Sequence, residues 1–357
     1  MNISKNRWLL AIVLMFVTAL SYQTRALALQ ENNDMSELTE NLKPRCVGRY
    51  LIDMPTEVLV SSGAKVLGVA IDSEAMTHDK YLQGIASRQA TLRGKKSMDA
   101  YPLLYADDAV DGSNTHYFIS RGNLNADPAN RVIEAYKWDH GYRYKLEIEG
   151  SDFLHPDQTQ DSIVKQIAVK NDVPDKTRLV FDLVKRLRWR SDDEIPAEPG
   201  LCILGGFLPG KAGDKEKVLM QFVPVGNRDV SFDFESNSGI RESDTLLQRA
   251  GQINAGLTLL SDRRTIRKGK VKLPGIDAEE WLIVGKTDLG VVGSMFTLEG
   301  NSMTGGAQTP LIMLDFQTAS PNFFMKERFT TSSLNKSEAV ALWDTVSRTL
   351  RPRPNGF

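Results

Sequence analysis

The chain contains few residues of the kinds that build reactive centres. Two cysteines and four histidines occur in 357 residues, and His78, His116, His140 and His155 have no partner at the spacing of a metal site. There is no Gly-x-Ser-x-Gly turn, and the glycine pairs lack the Lys-Ser/Thr step of a phosphate loop. We therefore expect no catalytic residue, no metal site and no cofactor site, and we predict that the chain is not an enzyme.

An excess of basic charge and a membrane-spanning run are also missing. Lysine and arginine total 44 against 45 acidic residues, which leaves no basic field for nucleic acid. The apolar run from Trp8 to Leu20 is shorter than the roughly 20 residues that cross a hydrocarbon core. We expect neither nucleic-acid binding nor stable membrane anchoring.

The N-terminus has the pattern of an export signal. Lys5 and Arg7 precede the apolar run, and Ala-Leu-Ala at 26–28 has the small residues that a signal peptidase requires. We predict that residues 1–28 are a signal peptide, with an uncleaved anchor as the alternative. Its removal takes three basic and no acidic residues, so the formal net charge changes from −1 to −4.

The rest of the chain contains an internal duplication. Arg-Cys-Val-Gly-Arg-Tyr at 45–50 is matched by Leu-Cys-Ile-Leu-Gly-Gly-Phe at 201–207, and Leu-Arg-Trp-Arg at 187–190 by Leu-Arg-Pro-Arg at 350–353. We predict an α+β fold of two tandem, similar domains, each an antiparallel sheet packed with helices. Two unrelated α+β domains are the alternative. The acidic, proline-containing stretch before Gly200 predicts these bounds: N-terminal domain 29–190, linker 191–199, C-terminal domain 200–357.

Periodicity locates strands and helices in both copies. Alternating apolar residues from Tyr142 to Ile148 predict a strand, paired through Asp-His-Gly at 139–141 with a strand at 132–138. Strands are also predicted at 65–71, 218–223, 281–284, 294–298 and 311–316. The predicted helix caps are Asp79, Ser243 or Asp244, Asp175 (for a helix at 177–189) and Asn335 with Glu338.

The two cysteines allow two interpretations. An oxidising compartment favours a disulfide between Cys46 and Cys202, which would tie the first strands of the two copies together. Each cysteine is also flanked by apolar residues, which is typical of a free buried thiol. Both interpretations stay open from the sequence, because a disulfide requires a Cα separation that the sequence does not contain.

Two polar loops are candidates for recognition. Residues 209–217 and 299–310 are longer and more polar than a strand connection requires. We take Lys211, Asp214, Lys215, Asn301 and Thr304 as the candidate partner contacts, and the alternative is that both loops are ordinary hairpin tips.

The segment at 43–55 (Lys-Pro-Arg-Cys-Val-Gly-Arg-Tyr-Leu-Ile-Asp-Met-Pro), Gly-Leu-Cys at 200–202, Gly-Gly-Phe at 205–207 and the export signal together resemble a known family. It is the two-domain family of bacterial immunity proteins cognate to the fourth class of type VI secretion lipase effectors. The resemblance implies a periplasmic protein that binds the phospholipase effector of its own lineage. It also implies two domains arranged as a claw that grips the lid of the lipase and blocks opening of the active site. A periplasmic small-molecule or envelope-binding protein that uses the interdomain cleft is the alternative function.

Overall fold

The computed structural model describes residues 38–95, 101–110, 112–154, 166–168, 170–251, 262–326 and 328–357. The predicted signal peptide, His155 and most of the helix predicted behind Ser243 or Asp244 lie outside these residues.

The described chain is mostly β-strand, with few helices. Residues 246–251 are also helical. In chain order the strands and helices are β1 Leu42–Val47, β2 Tyr50–Pro55, β3 Val58–Val66, β4 Val69–Ala75, α1 His78–Gly94, β5 Leu104–Ala109, β6 Thr115–Ser120, β7 Asn130–Asp139, β8 Tyr142–Ser151, α2 Val173–Arg186, β9 Arg188–Trp189, β10 Gly200–Ile203, β11 Gly206–Pro209, β12 Glu216–Pro224, β13 Val230–Asn237, β14 Arg264–Leu273, β15 Ile276–Lys286, β16 Val292–Gly300, β17 Leu311–Thr318, α3 Lys336–Ser347 and β18 Arg351–Pro352.

One 12-stranded sheet runs through both halves of the chain. Its order is β14-β15-β16-β17-β13-β12-β3-β4-β8-β7-β6-β5. From the central pair outward, the order is β3, β4, β8, β7, β6, β5 in the first half and β12, β13, β17, β16, β15, β14 in the second. In both halves the first two strands follow chain order and the last four run in reverse chain order. The halves join where β3 pairs antiparallel with β12, from Val58 opposite Pro224 to Val66 opposite Glu216. The repeated strand order makes the two halves similar in topology, as the matching sequence segments predict.

Two small sheets exchange their last strand between the halves. The hairpin β1-β2 pairs with β18 from the C-terminus, while β10-β11 pairs with β9 from the end of the first half. The registers correspond: Arg351 lies opposite Leu51, and Arg188 lies opposite Phe207. Each half therefore completes the hairpin of the other, so the two cannot be separated without breaking strand pairs.

Helices cover both faces of the large sheet. α2 packs on β7 and β8, and α3 packs on β16 and β17, where Trp343 contacts Phe296 and Phe316 edge-on or tilted. These helices cover what we call the core face. Because side chains alternate along a strand, the neighbouring residues of β7 and β16 point to the opposite face, called here the outer face. α1 and the helical residues 246–251 pack there, against clusters that include Tyr136 and Trp281.

The buried apolar residues form one main cluster rather than one per half. It includes β2, β3, β7 and β8 side chains together with those of β12, β13, β16 and β17. Tyr50 of the first half lies 5.9 Å from Phe234 and 5.4 Å from Phe357, measured between ring centroids. Burial of these apolar side chains across the junction stabilises the pairing of the halves.

Several local predictions are confirmed by the element bounds. The β7-β8 hairpin turns at His140 and Gly141, both in the left-handed region with φ of 44° and 87°. Strands β12, β15, β16 and β17 contain the four predicted strand segments of the second copy. Asn335 and Glu338 form the predicted capping box at the start of α3.

The predicted strand at 65–71 is wrong. It is a hairpin turn between β3 and β4, because Leu67 and Gly68 adopt φ of 52° and 91°. The alternation of Leu67, Val69 and Ile71 suggested one strand, yet Leu67 is 49% exposed at the tip of the turn. Gly68 lies inside the alternating pattern, and the chain turns back at this residue to form the hairpin.

Three predicted helix starts are displaced. Thr77 rather than Asp79 caps α1. Asp172 precedes α2, which places Asp175 in the first turn, and α2 ends at Arg186, so the predicted extension to Trp189 is wrong. Instead of Ser243 or Asp244, Thr245 exchanges hydrogen bonds with Gln248 in a capping-box arrangement. Each true start lies within three residues of the prediction because several polar residues there are able to cap.

Candidate functional site

The two cysteines are bonded to each other across the halves. Cys46 and Cys202 form a disulfide with a Cα separation of 5.8 Å, and it closes a sequence separation of 156 residues. Gly48 and Cys202 also exchange two backbone hydrogen bonds of 3.0 and 2.9 Å. The tips of the two small hairpins are thus held together covalently and by backbone pairing.

A buried ion pair lies beside this junction. The Nε and Nη2 atoms of Arg49 both donate to the carboxylate of Glu216 at 2.8 Å. Arg49 also donates to the carbonyl oxygens of Gly210 and Gly356. Because Glu216 begins β12 and Gly210 begins the loop before it, this bidentate pair fixes the base of one candidate recognition loop.

The loops at one end of the central strands form a continuous surface, called here the loop end. It consists of the β3-β4 turn, loop 210–215, loop 238–245 and loop 301–310. Leu67 N donates to Lys215 O at 3.1 Å, Glu242 N to Ser302 O at 2.8 Å, and Gly306 N to Ser238 O at 3.3 Å. The first half contributes the turn and the second half contributes the three loops, so the surface spans the junction.

The structure places all five candidate contact residues at the loop end. Lys211, Asp214, Lys215 and Thr304 are exposed, and Asn301 is half-buried in a left-handed conformation with φ of 58°. Asp214 Oδ1 accepts a hydrogen bond from Ala307 N at 3.1 Å. That bond connects the two loops that the sequence suggests separately.

Two cavities open at the loop end. One of about 200 Å³ is lined by residues that include Arg49, Lys211 and Asp214. The other, of about 600 Å³, is lined by residues that include Glu299, Asn301 and Thr304. Both cavities have mixed polar and apolar walls, and they give this end the concave relief that suits insertion of partner side chains.

Apolar residues at the loop end were not suggested by the sequence. Leu67 is 49% exposed, and Ile240 and Met303 are each 40% exposed. They come from three different connections, and the backbone of Ile240 lies close to Gly305. Scattered exposed apolar residues are ordinary, but a group with a polar rim is typical of a protein-binding surface. What distinguishes these three residues is their place on connections at the same end of the sheet, which the sequence alone does not show.

The outer face of the second half carries acidic side chains under partial burial. Asp233 and Asp315 lie directly opposite each other on β13 and β17. Burial raises the pKa of both carboxyls, and nearby Asp233, Glu235 and Glu299 help to raise the pKa of Asp315 to about 6. Thr297 and Gln221 donate hydrogen bonds to the two carboxylates.

The histidines are dispersed over the first half. His78 begins α1, His116 lies in β6 and His140 lies in the β7-β8 turn. Among the described residues, no three His, Cys, Asp or Glu side chains are grouped so that they could hold a metal ion. In the same part of the chain, no helix has both the length and the apolar character needed to cross a membrane.

Family models match nearly the whole described chain. The model described as the Tle cognate immunity protein 4 N-terminal domain matches residues 43–190, and the corresponding C-terminal domain model matches residues 194–355. No curated protein matches the sequence significantly.

Solved structures share the fold. The apo structure of immunity protein TplEi of the T6SS from Pseudomonas aeruginosa is 20% identical with a TM-score of 0.67, covering 88% of this chain and 98% of that one. A chain of the Tle4-Tli4 complex is 21% identical with a TM-score of 0.67, covering 89% and 99%. TplEi complexed with "L" peptide is 19% identical with a TM-score of 0.61, covering 88% and 99%. The similarity extends over both halves and their relative arrangement.

Proposed function

The chain belongs to the Tle cognate immunity protein 4 family, and from this premise we propose that it binds and inhibits a type VI secretion phospholipase effector in the periplasm. The observation that carries the proposal is that both family models match this chain. Its two halves share one continuous sheet. A complex of a structurally similar chain is named as Tle4-Tli4.

The loop end is the proposed binding surface. It combines exposed Leu67, Ile240 and Met303 with a polar rim and two cavities. The disulfide and the Arg49–Glu216 pair hold its supporting strands. A surface that is fixed before binding loses less conformational entropy on association, which favours a tight inhibitor.

The proposed mechanism needs no chemistry in this chain. The two halves act as a claw that grips the lid of the lipase and holds its closed conformer. Such inhibition requires that the chain bind the closed lipase more tightly than the open one. The Cys46–Cys202 disulfide supports an oxidising compartment, which agrees with periplasmic action.

Coexpression tests role and compartment together. The cognate lipase effector is directed to the periplasm, with the full chain or with residues 29–357 as the immunity partner. We expect growth to be rescued by the full chain and not by the version without residues 1–28. Equal rescue by both versions contradicts periplasmic action, and rescue by neither contradicts the immunity function.

Hydrogen exchange tests the lid mechanism. Purified effector is compared with and without an excess of residues 29–357, and we expect new protection in the lid elements. Protection confined to a surface away from the lid contradicts the grip. Stabilisation of the chain by a small molecule, without any effector binding, would favour the alternative of a small-molecule-binding protein.

A further inference from the structure

Each half buries one glutamate at a corresponding place on the outer face. Glu134 lies on β7 and Glu299 on β16, which hold equal positions in the strand order of the two halves. Glu134 is 1% exposed and Glu299 is 3% exposed. In both halves an arginine from the helix on this face, Arg88 or Arg249, donates to Oε2. The two arrangements are equivalent for this oxygen.

The second oxygen distinguishes the two halves. Glu134 Oε1 pairs with Lys145 Nζ at 2.9 Å and accepts a hydrogen bond from the hydroxyl of Tyr136 at 3.0 Å. Although burial favours the neutral acid, Lys145 and Arg88 lower the pKa of Glu134. Glu299 Oε1 is buried without a hydrogen-bond partner in the described part of the chain. A buried carboxylate oxygen without a donor costs free energy, so it needs a reason.

The strand register explains why the donor is missing. Glu134 lies opposite Glu147 on β8, and Glu299 lies opposite Met313 on β17. Lys145 lies two residues before Glu147 on β8, and Leu311 lies two residues before Met313 on β17. The second half therefore has an aliphatic side chain where the first half has the ammonium group that completes the carboxylate.

The incomplete carboxylate adjoins a cavity. Glu299 lines the cavity of about 600 Å³ together with Asp277 and Glu279, and two candidate contact residues, Asn301 and Thr304, form part of the same wall. In the first half, Lys145, Tyr136 and Arg88 leave no oxygen of Glu134 unpaired. The unpaired oxygen and the cavity thus occur in the same half.

We propose that this cavity receives a lysine or arginine side chain of the effector, which donates to Glu299 Oε1 as Lys145 does to Glu134. The proposal rests on the proposed function and adds the chemistry of one contact. Oε1 has almost no exposed surface in the free chain, so entry requires a shift of the cavity wall. Met303 lines the same cavity and is 40% exposed, so it belongs to a part of the wall that is not packed in the core.

Two matched substitutions test the contact. Glu299→Gln and Glu134→Gln are introduced into residues 29–357, and the affinity for the purified effector is measured by calorimetry. We expect Glu299→Gln to weaken binding by about 10- to 100-fold, because a buried charge-assisted contact is lost. The amide oxygen still accepts from Arg249, so the melting temperature should change little. Glu134→Gln should bind within about twofold of wild type and should melt at a lower temperature, because it loses the pairing with Lys145.

Two cations of the chain line this cavity, Lys270 and Lys272, and Lys270 is the one to test first. Lys270 lies in the same cross-strand row as Glu279 and Glu299, and it lines the same cavity. Lys270→Gln should leave the melting temperature unchanged if the effector supplies the donor. A fall as large as that caused by Lys145→Gln would show that Lys270 closes the site, and would overturn the proposal.

A scan of the effector identifies the donor. Each surface lysine and arginine of the effector is replaced by alanine and tested against wild type and Glu299→Gln. One substitution should lose its effect in the Glu299→Gln background, which is the sign of direct coupling. Wild-type affinity in Glu299→Gln overturns this contact while leaving the proposed function intact. No binding by the wild-type chain overturns both.

Discussion

Arg190 and Arg353 hold equivalent places in the two halves, and both guanidinium groups are bound to the segment that joins those halves. Arg190 Nη1 donates to the carbonyls of Ser191 and Glu194 at 2.7 and 2.8 Å. Arg353 donates to the carbonyls of Pro196, Glu198 and Gly200. Both arginines are 2% exposed, and burial lowers the pKa of each. The acidic, proline-containing segment is therefore held in place rather than left as a free tether.

Removal of one of these guanidinium groups should loosen the segment. Arg353→Met leaves three carbonyls of residues 196–200 without their donor, and we expect a loss of about 2–4 kcal/mol in the free energy of unfolding. Urea unfolding measures the loss, and limited proteolysis should show new cleavage within residues 191–199. Arg351→Met is the matched control: its pair with Asp53 is partly exposed, so about 1 kcal/mol or less is expected. Equal losses in both variants contradict the role given to Arg353.

The disulfide should contribute strongly to stability. It joins residues separated by 156 positions, and a loop of this length corresponds to about 5 kcal/mol in the chain-entropy account. We expect reductant to lower the urea midpoint while the fold remains, since the β3-β12 pairing is independent of the bond. The variant with both Cys46→Ala and Cys202→Ala should unfold at the reduced midpoint and should not respond to reductant. An unchanged midpoint of the wild type under reducing conditions contradicts the prediction.

Asp315 should make stability depend on pH. Its pKa is raised to about 6 from an ordinary value of 3.8, so the folded state binds this proton more tightly than the unfolded state. The resulting stability is present below about pH 4 and is lost as the pH rises through about 6. Asp315→Asn should therefore stabilise the chain by about 2–3 kcal/mol at pH 7.5 and by little at pH 4. Urea unfolding at the two pH values measures this, and equal effects at both contradict it.

The loop end should be buried in the complex. Thr304→Arg places a long charged side chain on an exposed position of loop 301–310, and we expect the affinity for the effector to fall by about tenfold or more. Glu57→Arg is the control, because Glu57 is exposed next to Val58, at the opposite end of β3 from the loop end. It should change the affinity less than about twofold. A stronger effect of Glu57→Arg would move the binding surface to the other end of the sheet.

Local features of the fold were accessible from the sequence. The β7-β8 hairpin follows from alternation and a turn at His140-Gly141, and the α3 cap follows from Asn335 and Glu338. The exchange of β9 and β18 between the small sheets was not accessible. Segments 187–190 and 350–353 match each other as repeats, but which hairpin each completes depends on contacts far apart in the chain.

The same limit applies to the binding surface. Length and polarity predicted loops at 209–217 and 299–310, which the strands on either side shorten to 210–215 and 301–310. The bond from Ala307 N to Asp214 that joins them is a long-range contact. Glu299 begins the predicted loop 299–310 but lies in β16, and it was not singled out because a single acidic residue there is expected to face water. The strand partners of Glu134 and Glu299 are known only from the structure. They show that the Glu134 carboxylate has donors for both oxygens and that the Glu299 carboxylate has a donor for one.

Titration of residues 29–357 into the purified effector while it hydrolyses phospholipid vesicles tests the central claim most directly. We predict loss of lipase activity that is complete at about one equivalent, with a stable complex on size-exclusion chromatography, as expected for a tight interface of standard size. Full lipase activity at a tenfold excess, with the two proteins eluting separately, would contradict it.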